Sequence, residues 1–100
     1  MHKYELMFIV RPDMEEAGIK KTADDMKKVL TDKKAKFLEE KPMGQKELAY
    51  EINKFTTGYY YLFVVEATKE AVKEFDRVAR INESLLRSLV VKVEDEKEEV

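Results

Sequence analysis

Apolar residues recur along the chain at two spacings, and these predict four strands and two helices. Every second residue is apolar in much of His2–Val10, which predicts a strand. Spacings of three and four then predict a first helix over about Met14–Asp32, with Asp13 as its N-cap. Thr68 caps a second predicted helix, from Lys69 to about Arg80. Three more strands are predicted over 35–52, 59–67 and 85–93. The first of these three has a bend at 42–44, and a turn over 53–58 connects it to the next.

The order of these elements, strand, helix, strand, strand, helix, strand, predicts the fold. Two such split halves form a four-stranded antiparallel sheet with both helices on one face. The expected class is therefore α+β, in the ferredoxin-like β-α-β-β-α-β arrangement. Residues 1–93 are expected to form this domain, and 94–100 an acidic C-terminal tail.

One face of the predicted sheet is apolar although no helix is expected to cover it. If alternation holds along each strand, this face carries Met7 and Ile9 from the first strand. The third strand adds Tyr60, Leu62 and Val64 to the same face. Because a sheet face in contact with water is usually more polar, the pattern predicts an interaction surface.

The distribution of charge changes what the net charge implies. The formal net charge of the 100 residues is -2, which taken alone argues against binding to nucleic acid. Residues 94–100 carry five acids and one lysine, so the first 93 residues carry a net +2 and permit RNA binding without requiring it. Cations on the strands or near their ends could form a rim that faces phosphates: His2, Lys3, Lys46, Lys54, Arg87 and Lys92.

The residue types that carry catalysis are scarce. The single histidine, His2, lies at the N-terminus, where a preorganised base is not expected. Ser84 and Ser88 have no histidine to pair with, and the chain has no cysteine. We therefore expect no enzyme activity, no metal, no cofactor and no small-molecule substrate. The longest apolar run, Tyr59–Val65, is far shorter than the roughly 20 residues of a membrane span, so we expect a soluble protein that is not exported.

Three blocks of sequence resemble the bacterial small-subunit ribosomal protein six family. The first runs from Tyr4-Glu5 to Ile9-Val10-Arg11-Pro12, the second is Gly44–Lys54 with Gly58-Tyr59 just after it, and the third is Arg80–Lys92. The blocks stand in the order and spacing of that family and extend over nearly all of the chain. Lys46 replaces an arginine that is usual in the family, which keeps the charge but not the planar fork of donors.

This resemblance implies a structural protein of the cytoplasmic ribosome that has the ferredoxin-like fold and no catalytic activity. It implies binding to the central domain of small-subunit rRNA, together with small-subunit ribosomal protein eighteen as a heterodimer. Arg87 is the RNA contact that we expect to matter most, because a guanidinium can bridge phosphate oxygens. The expected RNA contacts are His2, Lys3, Tyr4, Lys46, Lys54, Arg87 and Lys92. The expected partner contacts are Met7, Ile9, Tyr60, Leu62, Val64, Leu89 and Val91.

Two other functions are compatible with this order of elements. A regulatory ferredoxin-like module would homodimerise through the same apolar face and bind a small ligand. Such a module would carry a glycine-rich loop between the first strand and the first helix, and this sequence has none there. A stand-alone binder of single-stranded RNA would need stacking aromatics flanked by a strongly basic groove. Neither alternative accounts for the three blocks.

Overall fold

Six elements follow one another along residues 2–93, the part of the chain that the computed structural model describes. The elements are β1 (His2–Val10), α1 (Glu16–Asp32), β2 (Lys36–Ile52), β3 (Phe55–Ala67), α2 (Lys69–Ile81) and β4 (Leu85–Lys92). The strands form one antiparallel sheet in the order β2-β3-β1-β4. This confirms the predicted ferredoxin-like α+β fold. The predicted acidic tail, 94–100, lies outside the described residues.

The core lies between the two helices and one face of the sheet. Phe8 on β1 is fully buried at its centre, with its ring stacked on Tyr61 at a centroid distance of 5.3 Å. The rings of Phe63 on β3 and Phe75 on α2 lie 5.1 and 6.1 Å from that of Phe8. Because a slip of one residue would turn this whole set to the other face, the buried rings hold the register of β1 against β3.

The two helix starts show that local capping signals differ in reliability. Thr68 is the N-cap of α2, as predicted, and its Oγ1 accepts a hydrogen bond of 3.2 Å from the Ala71 N–H. The prediction for α1 was wrong, because the helix begins at Glu16 and Asp13 does not cap it. Both carboxylate oxygens of Asp13 instead accept hydrogen bonds from the Arg11 guanidinium, at 3.1 and 3.0 Å.

The β2–β3 connection is tighter than the predicted six-residue turn. Only Asn53 and Lys54 lie between the strands, with φ values of 49° and 70°, and β3 starts at Phe55. Positive φ at both central residues is typical of two-residue hairpin turns whose twist matches the strands. The predicted bend at 42–44 is confirmed by a shift of register between Pro42 and Gly44, where Gly44 has a φ of 84°.

Near this turn β2 separates from β3. Glu47 pairs with Thr57 and Ile52 pairs with Phe55, so four residues of β2 stand opposite one residue of β3. These four residues, Leu48–Glu51, are called the arch below. Leu48, Ala49 and Tyr50 line a cavity together with residues of β1, β3 and β4, which shows that the arch folds over the helix-free face of the sheet.

Candidate protein and nucleic-acid interface

The helix-free face brings the predicted partner residues together. Strand register places Met7 between Leu62 on β3 and Leu89 on β4. Because neighbouring positions in register share a face, the parity assumed from the sequence is confirmed. The seven predicted partner residues that share this face are Met7, Ile9, Tyr60, Leu62, Val64, Leu89 and Val91.

The exposure of this face is uneven. Leu89 and Val91 on the edge strand are 48% and 43% exposed, whereas Ile9 and Val64 are only 5% and 7% exposed. The expectation of a wholly uncovered face is therefore wrong for Ile9 and Val64. The arch and Ile9 line the same cavity of about 230 Å³, and Val64 lies in register between Glu5 and Glu39. The accessible apolar surface thus lies at the β4 side of the sheet, where Leu89 and Val91 stand beside the half-buried Met7. These three residues are called the apolar strip below.

Gly58 on β3 allows the arch to lie close to β1. A Cβ added at this buried position would be 2.4 Å from Ile9 Cγ2 and 3.4 Å from the Val10 carbonyl oxygen. It would also contact Leu48 Cδ2 of the arch at 3.7 Å. The close approach of β1 and the arch therefore depends on the absence of a side chain at Gly58.

Arg87 lies on the helix-free face and is held there by the arch. It pairs in register with Ile9, and its guanidinium donates a hydrogen bond to the Tyr50 hydroxyl. Its Cζ atom lies 5.8 Å from the centroid of the Tyr50 ring, within reach of a cation–π interaction. Sequence reasoning did not find Tyr50 as a partner, because the contact joins residues 37 positions apart. This hydrogen bond uses one of the five N–H donors of the guanidinium.

The cations predicted to contact RNA lie at two ends of the sheet. The start of β1 adjoins the end of β4, since Val93 donates a backbone hydrogen bond of 2.9 Å to Lys3. The hairpin turn lies at the opposite end, beyond the pairing of Val10 with Tyr59. From residue 2 to residue 9 of β1 the strand rises about 23 Å. The first group is His2, Lys3 and Lys92, and the second is Lys46, Lys54 and Arg87.

Tyr4 and His2 differ although both lie at the start of β1. Tyr4 is 6% exposed and belongs to the core, so we do not retain it among the proposed RNA contacts. His2 is exposed, and its pKa is lowered below 6.5 chiefly by the positive charge of Lys92, then by burial. Protonation of His2 is therefore disfavoured by the cations that cluster at this end of the sheet.

Ser84 lies in the turn before β4, where its backbone N–H donates to Asn82 Oδ1 at 2.8 Å. Within residues 2–93 no group of three His, Cys, Asp or Glu side chains is placed to hold a metal ion. The same part of the chain contains no helix that is long and apolar enough to cross a membrane. The described residues form a surface with an apolar strip on the helix-free face and cations at both ends of the sheet.

Comparison with known proteins agrees with this description. Residues 3–92 match the family model described as Ribosomal protein S6. The chain is 46% identical over 94 residues to small ribosomal subunit protein bS6 of Shouchella clausii (strain KSM-K16), an alignment that covers 94% of this chain and 99% of that protein. It is 41% identical over 92 residues to the protein of the same description from Phytoplasma australiense, covering 92% and 99%.

A solved structure shows the same architecture. The crystal structure of 30S ribosomal protein S6 from Thermotoga maritima matches with a TM-score of 0.91 and 25% identity, covering 98% of this chain and 92% of that one. Fold, surface and relatives together define a structural protein of the small ribosomal subunit. The chain belongs to the ribosomal protein S6 family.

Membership of this family confirms the resemblance found in the three sequence blocks. It places the chain in the cytoplasmic ribosome, and the family is one of structural proteins and not of enzymes. The alternative of a regulatory module that binds a small ligand has no support in these relatives.

Proposed function

We propose that this chain binds the central domain of small-subunit rRNA together with small-subunit ribosomal protein eighteen, as a heterodimer. The observation that carries the proposal is the apolar strip on the helix-free face, where Leu89 and Val91 are 48% and 43% exposed beside the half-buried Met7. An apolar strip on a sheet face is a favourable site for a protein contact. The family resemblance supplies the identity of the partner.

The positions of the cations support a joint interface with RNA. His2, Lys3 and Lys92 lie at one end of the sheet, and Lys46, Lys54 and Arg87 at the other. By register, Lys46 and Arg87 share the helix-free face with the strip, whereas Lys92 is in register with Tyr4 of the other face. RNA that contacts Lys46 and Arg87 would lie beside a partner on the strip and could contact both proteins. The first 93 residues carry a net charge of only +2, which is little for tight binding to phosphates. The partner would therefore supply part of the positive charge.

Among the proposed RNA contacts, Arg87 is the one whose side chain is already ordered by a neighbour. It is exposed, lies on the same strand as Leu89 and Val91, and is held in place by the Tyr50 hydroxyl. A side chain that is already ordered loses less conformational entropy when it binds. Hydrogen bonds to a charged group are worth about 1.5–3 kcal/mol, so loss of this contact should reduce RNA affinity by about tenfold or more.

The test is binding to a central-domain rRNA fragment, with and without the companion protein, over a series of salt concentrations. We expect tight binding only with the companion, and a slope of log affinity against log salt that counts the phosphates neutralised. Arg87→Ala should weaken that binding by about tenfold. Arg77→Ala is the matched control, since it removes the same charge from α2, where Arg77 pairs with Glu74 at 2.6 Å. The control should leave RNA affinity within about twofold.

Two results would contradict the proposal. Unchanged RNA affinity of Arg87→Ala in the presence of the companion would remove Arg87 from the interface. Absence of RNA binding under both conditions would refute the proposal as a whole, and a stable homodimer in the same samples would favour the alternative of a homodimeric regulatory module.

A further inference from the structure

A groove between α1 and β2 lies on the side of the sheet opposite the apolar strip. Its volume is about 270 Å³, and its floor is formed by Tyr59 and Tyr61 of β3. Small-molecule sites start at about 300 Å³, so this groove has room for one or two side chains of a partner rather than for a whole cofactor. The groove does not include any residue of the proposed RNA and partner surface.

The floor of the groove is aromatic and fixed in position. The Tyr61 ring is stacked on the buried Phe8, with an angle of 7° between the ring planes. Both Tyr59 and Tyr61 are half-buried and pack against the core. Ile19 on α1 and Pro42 on β2 add apolar walls. Such a site suits a side chain with an apolar stem and a flat, cationic head, because aromatic faces attract cations.

The rim of the groove is negative. Glu16 and Asp24 of α1 and Glu40 of β2 line it, against Lys20 as the one lysine among the lining residues that the structure describes. One carboxylate oxygen of Glu40 is paired with Lys27 at 2.7 Å, so Glu16 and Asp24 carry most of the negative charge of the rim. The pKa of Tyr61 is raised, first by burial and then by the charges of Asp24 and Glu40. The negative potential therefore reaches the tyrosine floor, and it would repel a phosphate.

We propose that this groove binds an arginine side chain on a segment of a protein partner. The guanidinium would stack on a tyrosine ring and donate to the carboxylate of Asp24 and to the Glu40 oxygen that does not bind Lys27, while its stem packs against Ile19 and Pro42. Arginine fits better than lysine because its planar head both stacks on aromatic rings and donates in a fork to carboxylates. This second docking site lies across the sheet from the proposed RNA interface and does not depend on it.

The probe is an amidated peptide of eight residues in which arginine and alanine alternate. Titrated into isotope-labelled protein and followed by NMR, it should bind saturably and shift the ring signals of Tyr59 and Tyr61. A peptide of the same length with glutamate in place of arginine should not bind, because the rim carries the same sign of charge.

Two double variants separate the groove from the general charge of the protein. Asp24→Asn with Glu40→Gln should lower peptide affinity about tenfold, with each exposed ion pair contributing about threefold. Asp25→Asn with Glu39→Gln makes the same change of charge at neighbouring carboxylates that do not line the groove. Asp25 and Glu39 each pair with a lysine, as Glu40 does with Lys27, so loss of an ion pair is common to both variants. This control should change the affinity less than about twofold. All four carboxylates are exposed, so both variants should fold like the parent.

The outcomes separate the possible ligands. Absence of saturable binding, or equal losses in the two double variants, would overturn the proposal. A lysine–alanine peptide should bind several-fold more weakly than the arginine peptide. Equal affinity for the lysine peptide, or for spermine, would overturn the assignment to arginine, since the groove would then respond to charge alone.

Discussion

Replacing Gly58 with alanine should destabilise the protein through a contact with Ile9. The added Cβ would lie 2.4 Å from Ile9 Cγ2, whereas carbon atoms in contact are best separated by about 3.5–4.0 Å. Ile9 is 5% exposed beneath the arch, and Leu48 of the arch is itself 3.7 Å from the same Cβ position. Relief of the contact therefore requires the Ile9 side chain or the backbone of β1 to shift away from β3.

The size of the effect follows from two opposing contributions. Inserting a methyl group into a well-packed site costs about 1–3 kcal/mol. Reduced freedom of the unfolded chain returns about 0.4–1 kcal/mol when glycine becomes alanine at a compatible backbone conformation. The backbone of Gly58 is compatible with alanine, because its φ is not positive; among the described glycines only Gly44 has a positive φ. We expect a net loss of about 1–2 kcal/mol, or a fall in Tm of about 5–15 °C.

Urea unfolding of a double-mutant cycle checks the cause. Ile9→Ala removes Cγ2, so in that background Gly58→Ala should be neutral or stabilise the protein by up to about 1 kcal/mol. Gly44→Ala is the control, because φ at Gly44 is 84° and nothing lies within 4 Å of the added Cβ. Its cost of about 1–2 kcal/mol comes from the backbone and should not change with Ile9→Ala.

The reasoning would be refuted if Gly58→Ala cost as much with alanine at position 9 as with isoleucine. It would also be refuted if Gly58→Ala left the free energy of unfolding unchanged in the parent protein. Either result would mean that the arch is not held against β1 as the structure shows.

Two further predictions concern the proposed interface. Leu89→Asp should lower the affinity of the heterodimer by about tenfold or more in calorimetric titration. Ile81→Asp, at the exposed end of α2, is the control and should change that affinity little. Equal affinities of the two variants would contradict docking on the strip. Lys92→Ala should raise the pKa of His2 toward 6.5 in an NMR titration, and the distant Lys46→Ala should not; an unmoved pKa would contradict the role of Lys92. Because folding lowers the pKa of His2, its protonation destabilises the folded state as the pH falls through 6.5.

The sequence allowed the faces of the sheet to be predicted well. Tyr4, Leu6, Phe8 and Val10 alternate strictly, and alternation assigns each residue of a strand to a face whatever its neighbours are. The apolar helix-free face was accordingly predicted from parity alone, whereas its restriction to an accessible strip on the β4 side comes from the structure. Burial of Ile9 could not be predicted in this way, because it depends on the arch, which reaches Ile9 from a different strand.

Sequence signals failed to predict the start of α1, because two local structures were possible for Asp13. Asp13 could cap α1 or bind Arg11, and its neighbours in sequence are compatible with both. The cations were visible in the sequence as single charges, but their division into two groups comes from strand register. The contact of Tyr50 with Arg87 likewise depends on the closed fold and has no local signature.

The outer edge of β2 has a consequence for the life of the protein before assembly. Edge strands expose unpaired backbone groups that can recruit strands of other chains, and this is a route to fibrils. In β2 that edge carries charges of both signs at Glu39, Glu40 and Lys41, followed by Pro42 and a break of register. Charge, proline and irregular pairing all oppose strand addition. A freshly synthesised chain should therefore resist aggregation along this edge before a partner covers its apolar strip.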